Sequence, residues 1–114
     1  MTVTDERPPD VATMRECTSR LLLEDAELPT FGEMQVLTLR LRGHIMLLIP
    51  EVEKAAELRG VDDIPKYCAL ACIGEARTKL GLTAGFGLPA GIAHAKRLSR
   101  CLNALLDHYE SLSR

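Results

Sequence analysis

Between Thr30 and Arg59 the apolar residues Met34, Leu37, Leu41, Ile45, Leu48 and Val52 recur at steps of three and four. At about 100° per residue this places them on one face of a helix. A second line, Leu39, Met46 and Ile49, falls on another sector, so the helix has apolar surface for more than one neighbour. The segment Thr30-Phe31-Gly32-Glu33 reads as its start: the Thr30 hydroxyl accepts from the Glu33 amide while the Glu33 carboxylate accepts from the Thr30 amide. Pro50 lacks the amide proton that would reach the carbonyl of Met46 and crowds that turn, which predicts a kink. Helical composition resumes from Glu51 to Leu58, and Gly60 ends the segment.

Three more helical patterns surround this one. Ahead of it, Asp10 is a plausible N-cap for a helix from Val11 to about Asp25, whose stripe is Val11, Met14, Cys17, Thr18 and Leu21, with Leu23 pointing elsewhere. Beyond it, Asp63 and Pro65 open a helix over Ile64–Leu80 that is rich in the small residues Cys68, Ala69, Ala71, Cys72, Gly74 and Ala76, suited to close approach of a neighbour. Gly81 is expected to close that helix in a left-handed conformation. A glycine-rich loop from Gly81 to Leu88 follows, with Phe86 and Leu88 expected to tuck it against the protein. The last helix, opened by Pro89 and running to about Leu112, is expected to bury Leu98, Cys101, Leu102, Leu105, Leu106 and Tyr109, with Lys96, Arg100, Asn103 and Asp107 opposite.

No strand pattern or internal repeat interrupts this reading. Short connections join antiparallel neighbours. The expected fold is all-α, an antiparallel four-helix bundle organised around a long second helix kinked at Pro50. Residues 1–9 form a flexible arm and residues 10–114 a single domain.

Charge and composition narrow the function classes. A net charge of −2 without a clustered basic face argues against nucleic acid and anionic membranes as partners. The longest apolar run, Ile45–Ile49, is far short of the roughly 20 residues that span a bilayer. The acidic, proline-containing N-terminus does not read as a secretory signal, so the expected location is cytoplasmic.

Four residues could ligate zinc: Cys68 and Cys72 on one helix, His94 and Cys101 on the next. The short two-residue spacings and knuckle loops of zinc folds are missing, and cysteine is a common core filler, so no metal and no cofactor are expected. Arg42 falls between the two apolar lines of the second helix, and Glu75 within the small-residue surface of the third. A charge in such a place is expected to be paired or to reach an edge. The functional alternative is a polar pocket in which Arg42, His44 and Glu75 hold an anionic or hydroxylated small molecule. The loop from Gly85 to Gly91 has free amides before a helix, but neither a preceding strand nor phosphate-loop spacing, and reads as a connection. His108 beside Asp107 has no placeable nucleophile, so no catalytic residue is assigned.

Three blocks, Leu37–Ile45 running into Leu48–Glu53, Pro65–Arg77 and Leu98–Glu110, resemble a family of short actinobacterial proteins of unknown function that carry a natural-product-biosynthesis label. The resemblance covers most of the chain from the first helix onward. It implies a setting in secondary metabolism and no particular reaction. It also directs attention to the polar members of those blocks, Arg42, His44, Tyr67, Glu75, Asn103, Asp107 and His108.

The favoured reading is an accessory or interaction protein that self-associates, because Leu23, Leu39, Met46 and Leu47 are more apolar helix surface than four helices cover. The rival is a small-molecule binder or enzyme with a polar pocket inside the bundle, built on Arg42, His44 and Glu75, with Tyr67 added by the resemblance. A helical DNA-binding regulator is least favoured, since acidic residues are interspersed with the arginines.

Overall fold

The computed structural model describes residues 7–113 and contains four α-helices: α1 Val11–Leu22, α2 Phe31–Glu57, α3 Ile64–Leu80 and α4 Leu88–Leu112. No strand occurs among the described residues. The expected flexible arm, residues 1–9, lies outside them except for Arg7, Pro8 and Pro9.

Local chemistry sets the helix starts. Asp10 accepts from the Thr13 amide at 3.1 Å and from its hydroxyl at 2.8 Å. At α2 both halves of the capping box form, the Glu33 amide donating to Thr30 Oγ1 at 3.2 Å and the Thr30 amide to Glu33 Oε1 at 3.0 Å. Such a cap contributes about 1 kcal/mol. Asp63 precedes α3 but makes no capping bond; its carboxylate accepts from Arg59 and so joins the end of α2 to the start of α3. α4 follows Gly87, whose φ of 88° is the one positive value among the described residues, and has Pro89 in its first turn.

Three expectations about helix ends and loops are corrected. α1 stops at Leu22 rather than Asp25, with Leu23 extended, because Glu24 and Asp25 would put negative charge at the negative end of the helix dipole. Gly81 is right-handed, with φ −81° and ψ −12°; its amide donates to the Thr78 carbonyl at 3.0 Å, closing α3 with a tightened turn in place of a left-handed cap. Phe86 does not tuck in; it stands fully in solvent.

The helices pack as a four-helix bundle with α2 and α4 as its central pair. Each of these two touches all three other helices, whereas α1 and α3 do not meet. Met34 near the start of α2 lies against Gly91 near the start of α4, so the two central helices begin side by side. A Cβ at Gly91 would meet the Met34 thioether end, so the glycine lets that flexible side chain lie directly on the α4 backbone. The organising role expected of α2 alone is therefore shared with α4, the helix on which α1 chiefly rests.

The core is aliphatic: Leu41, Ile45, Leu48 and Val52 of α2 meet Leu98, Leu102, Leu105 and Leu106 of α4, with Met14, Leu21, Ala69, Ile73 and Ala76 filling the flanks. Full burial of one such leucine or isoleucine is worth about 1.5–3 kcal/mol. Of the small residues in α3 only Ala69 and Ala76 are fully buried, whereas Cys68, Ala71 and Gly74 face outward. Helical rotation of about 100° per residue cannot bring all six to one neighbour.

A polar clamp seats α1 on α4. Thr18 donates to Asn103 Oδ1 at 2.8 Å, and Arg15 reaches Asn103 Oδ1 at 3.2 Å, Asp107 Oδ1 at 2.8 Å and Glu110 Oε1 at 2.6 Å. Asn103 was expected on the outer side of the last helix; it lies instead in this seam, because α1 covers that flank.

Candidate functional site

The four residues singled out for a pocket go to different places. Arg42 donates through Nη1 to the Leu80 carbonyl at 2.8 Å, serving one of the free carbonyls at the end of α3. Tyr67 donates to the Val61 carbonyl at 2.8 Å, bracing the α2–α3 turn. His44 lines a cavity of about 730 Å³ between α2 and the chain entering α1, with Pro8, Pro9, Met14, Leu47 and Glu51. Burial, followed by the nearby Arg40, lowers its pKa below 6.5. Glu75 is exposed on the rim of a smaller cavity with Cys72, Lys79, Arg97, Arg100 and Cys101. The structure does not bring the four together in one cavity.

The cysteines are reduced: Cys68 is exposed, and Cys17, Cys72 and Cys101 are half-buried. Burial, with the neighbouring Cys72 second, pushes the Cys101 thiol to about 11, so it stays protonated at neutral pH. Among the described residues no three His, Cys, Asp or Glu are grouped to hold a metal ion.

Two features stand out on the surface. The first is the outer face of α2. The inner face of this helix is used by the core, yet Val36, Leu39, Met46 and Leu47 on the opposite side are exposed, Leu39 at 69%, Met46 at 61% and Leu47 at 67%. The second apolar line read from the sequence therefore divides, since Ile49 is buried while Leu39 and Met46 face outward. Gly43 lies among them, and a Cβ there would meet nothing within 4 Å.

The second feature is a groove of about 580 Å³ where the first turns of α2 meet the loop at 84–87 and the start of α4. Phe31, Met34, Leu39 and Phe86 give it apolar walls, with Gln35 and Thr38 as polar members. His94 of α4 also lines it. That imidazole is only 4% exposed, and its Nδ1 has no hydrogen-bond partner. Burial is the main cause of its lowered pKa, assisted by the positive charges of Arg97 and Arg42, so the ring is neutral at neutral pH. The sequence placed His94 on the flank of a possible zinc set. Its isolation inside the bundle depends on the α2–α4 contact, which no local pattern reveals.

Helix content, packing and connectivity define an all-α four-helix bundle. Residues 12–114 match the model of a family of unknown function, DUF6415, and the chain belongs to that family. No curated protein and no solved structure matches it. No helix of the described residues is long and apolar enough to cross a membrane.

Proposed function

We propose that the protein is an accessory, protein-interaction helical bundle that self-associates, two copies meeting through the outer faces of their α2 helices. The observation that carries this reading is the exposed stripe Val36, Leu39, Met46 and Leu47 on a helix whose other side is the core of the bundle. Val36, Leu39, Gly43, Met46 and Pro50 follow the three-and-four spacing of a seam between paired helices, and Gly43 leaves a gap that a partner side chain can enter. The same stripe on a second copy is self-complementary, as a two-fold interface requires. Leu58, Val61 and Ile64 are exposed too, but on the α2–α3 turn, where they form no helical seam. The resemblance of three sequence blocks to actinobacterial proteins labelled for natural product biosynthesis supports a setting in that metabolism.

Sedimentation velocity at micromolar concentration tests this. The wild-type chain is expected to run as a dimer, and the double variant Leu39→Glu/Met46→Glu as a monomer of unchanged helicity. A monomeric wild type, or a double variant that remains dimeric, contradicts the proposal.

A further inference from the structure

We infer that the groove between the start of α2, the glycine loop and α4 is a binding site for a small, uncharged, largely apolar molecule bearing one hydroxyl, best a phenol, which bonds to His94. The site is separate from the α2 seam except at Leu39, which borders both.

A volume of about 580 Å³ is within the usual range of small-molecule sites. Its walls are mainly hydrocarbon, thioether and aromatic, so most of the ligand must be apolar. The one fixed polar demand comes from His94. A buried ring nitrogen without a partner is costly to maintain; Nδ1 has almost no accessible surface, so a ligand hydroxyl completes it only as the side chains lining the groove move aside. A hydroxyl satisfies either tautomer of the neutral imidazole, since it both donates and accepts. The positive charges of Arg97 and Arg42 act on the ring and disfavour an ammonium group bonded to it.

The loop supplies a movable wall. Phe86 is wholly exposed between two glycines, and Gly87 has a conformation that side chains rarely adopt. Its ring borders the groove and has no contact of its own to lose by turning onto an aromatic occupant, edge-to-face or stacked.

The experiment titrates 4-propylphenol, with propylbenzene as the matched hydrocarbon, into the full chain. The Met34 methyl and His94 imidazole signals are followed by NMR. 4-Propylphenol is expected to saturate both shifts and to bind at least tenfold more tightly than propylbenzene. In His94→Leu, which keeps the groove apolar, the two compounds should bind alike; in Phe86→Ser both should weaken severalfold. The site is refuted if 4-propylphenol leaves the Met34 and His94 signals unmoved. It is equally refuted if His94→Leu, shown folded by circular dichroism, still prefers the phenol tenfold.

Discussion

His94 places a polar nitrogen where the bundle gives it nothing to bond, and a group of that kind costs stability unless something outside the fold completes it. Replacing it with leucine removes the cost and improves helix propensity, so His94→Leu is expected to raise unfolding free energy by about 1 kcal/mol in urea titrations. A loss of similar size would mean that the imidazole already has a structural role. The same residue makes stability depend on pH. With the folded pKa of His94 below 6.5, the unfolded chain takes up the proton first. The His94 contribution is then constant above about pH 6.5 and falls as the pH drops from there through the folded value. His44 acts in the same direction, so His94→Leu should reduce the acid loss without abolishing it. Asn103 is the opposite kind of polar residue, accepting from both Thr18 and Arg15. Asn103→Ala removes the acceptor shared by Thr18 and Arg15, which keep the Arg15 carbonyl and the Asp107 and Glu110 carboxylates respectively, and should destabilise the chain by about 1 kcal/mol, read from the same titrations.

Among the elements, α2 holds the clearest local conflict, a proline inside a helix that continues from Phe31 to Glu57. Pro50 is exposed in the single chain, so nothing in the bundle's own core requires its ring. Pro50→Ala restores a donor to the Met46 carbonyl and should raise the thermal midpoint, with a gain of about 1 kcal/mol or more. An unchanged midpoint would show that the native helix already accommodates the ring without penalty. The starts of the helices were legible in the sequence because Asp10, Thr30 and Glu33 act within one turn. The ends were less so. Where α1 stops and how Gly81 turns depend on which surfaces neighbouring helices cover, and a single-helix pattern does not contain that. The apolar stripes of α1, α2 and α4 were legible for the same reason as the caps, periodicity being a local property. The partner of each stripe was not, which is why α4 emerges beside α2 as a second central helix.

For the whole molecule, the proposed functional surfaces lie where two kinds of information meet. The exposed leucines and methionine of α2 were readable as surplus apolar surface, and Leu23, Leu39, Met46 and Leu47 are indeed all exposed. A pocket built on Arg42, His44, Tyr67 and Glu75 was harder to judge from a helical wheel. The wheel gives angle around one axis but neither height along the bundle nor the identity of the neighbour. Arg42 turned to the carbonyl end of α3 and Tyr67 to the α2–α3 turn at its other end, while His44 and Glu75 line separate cavities. The central claim is that two copies pair through α2, and the most direct test is an isotope-filtered NOE measurement on an equal mixture of ¹³C-labelled and unlabelled chain. The account predicts intermolecular cross-peaks from the Met46 methyl to Leu39, Met46 or Leu47 of the other copy. A sample that gives no such peaks, or gives them only from another face of the bundle, contradicts it.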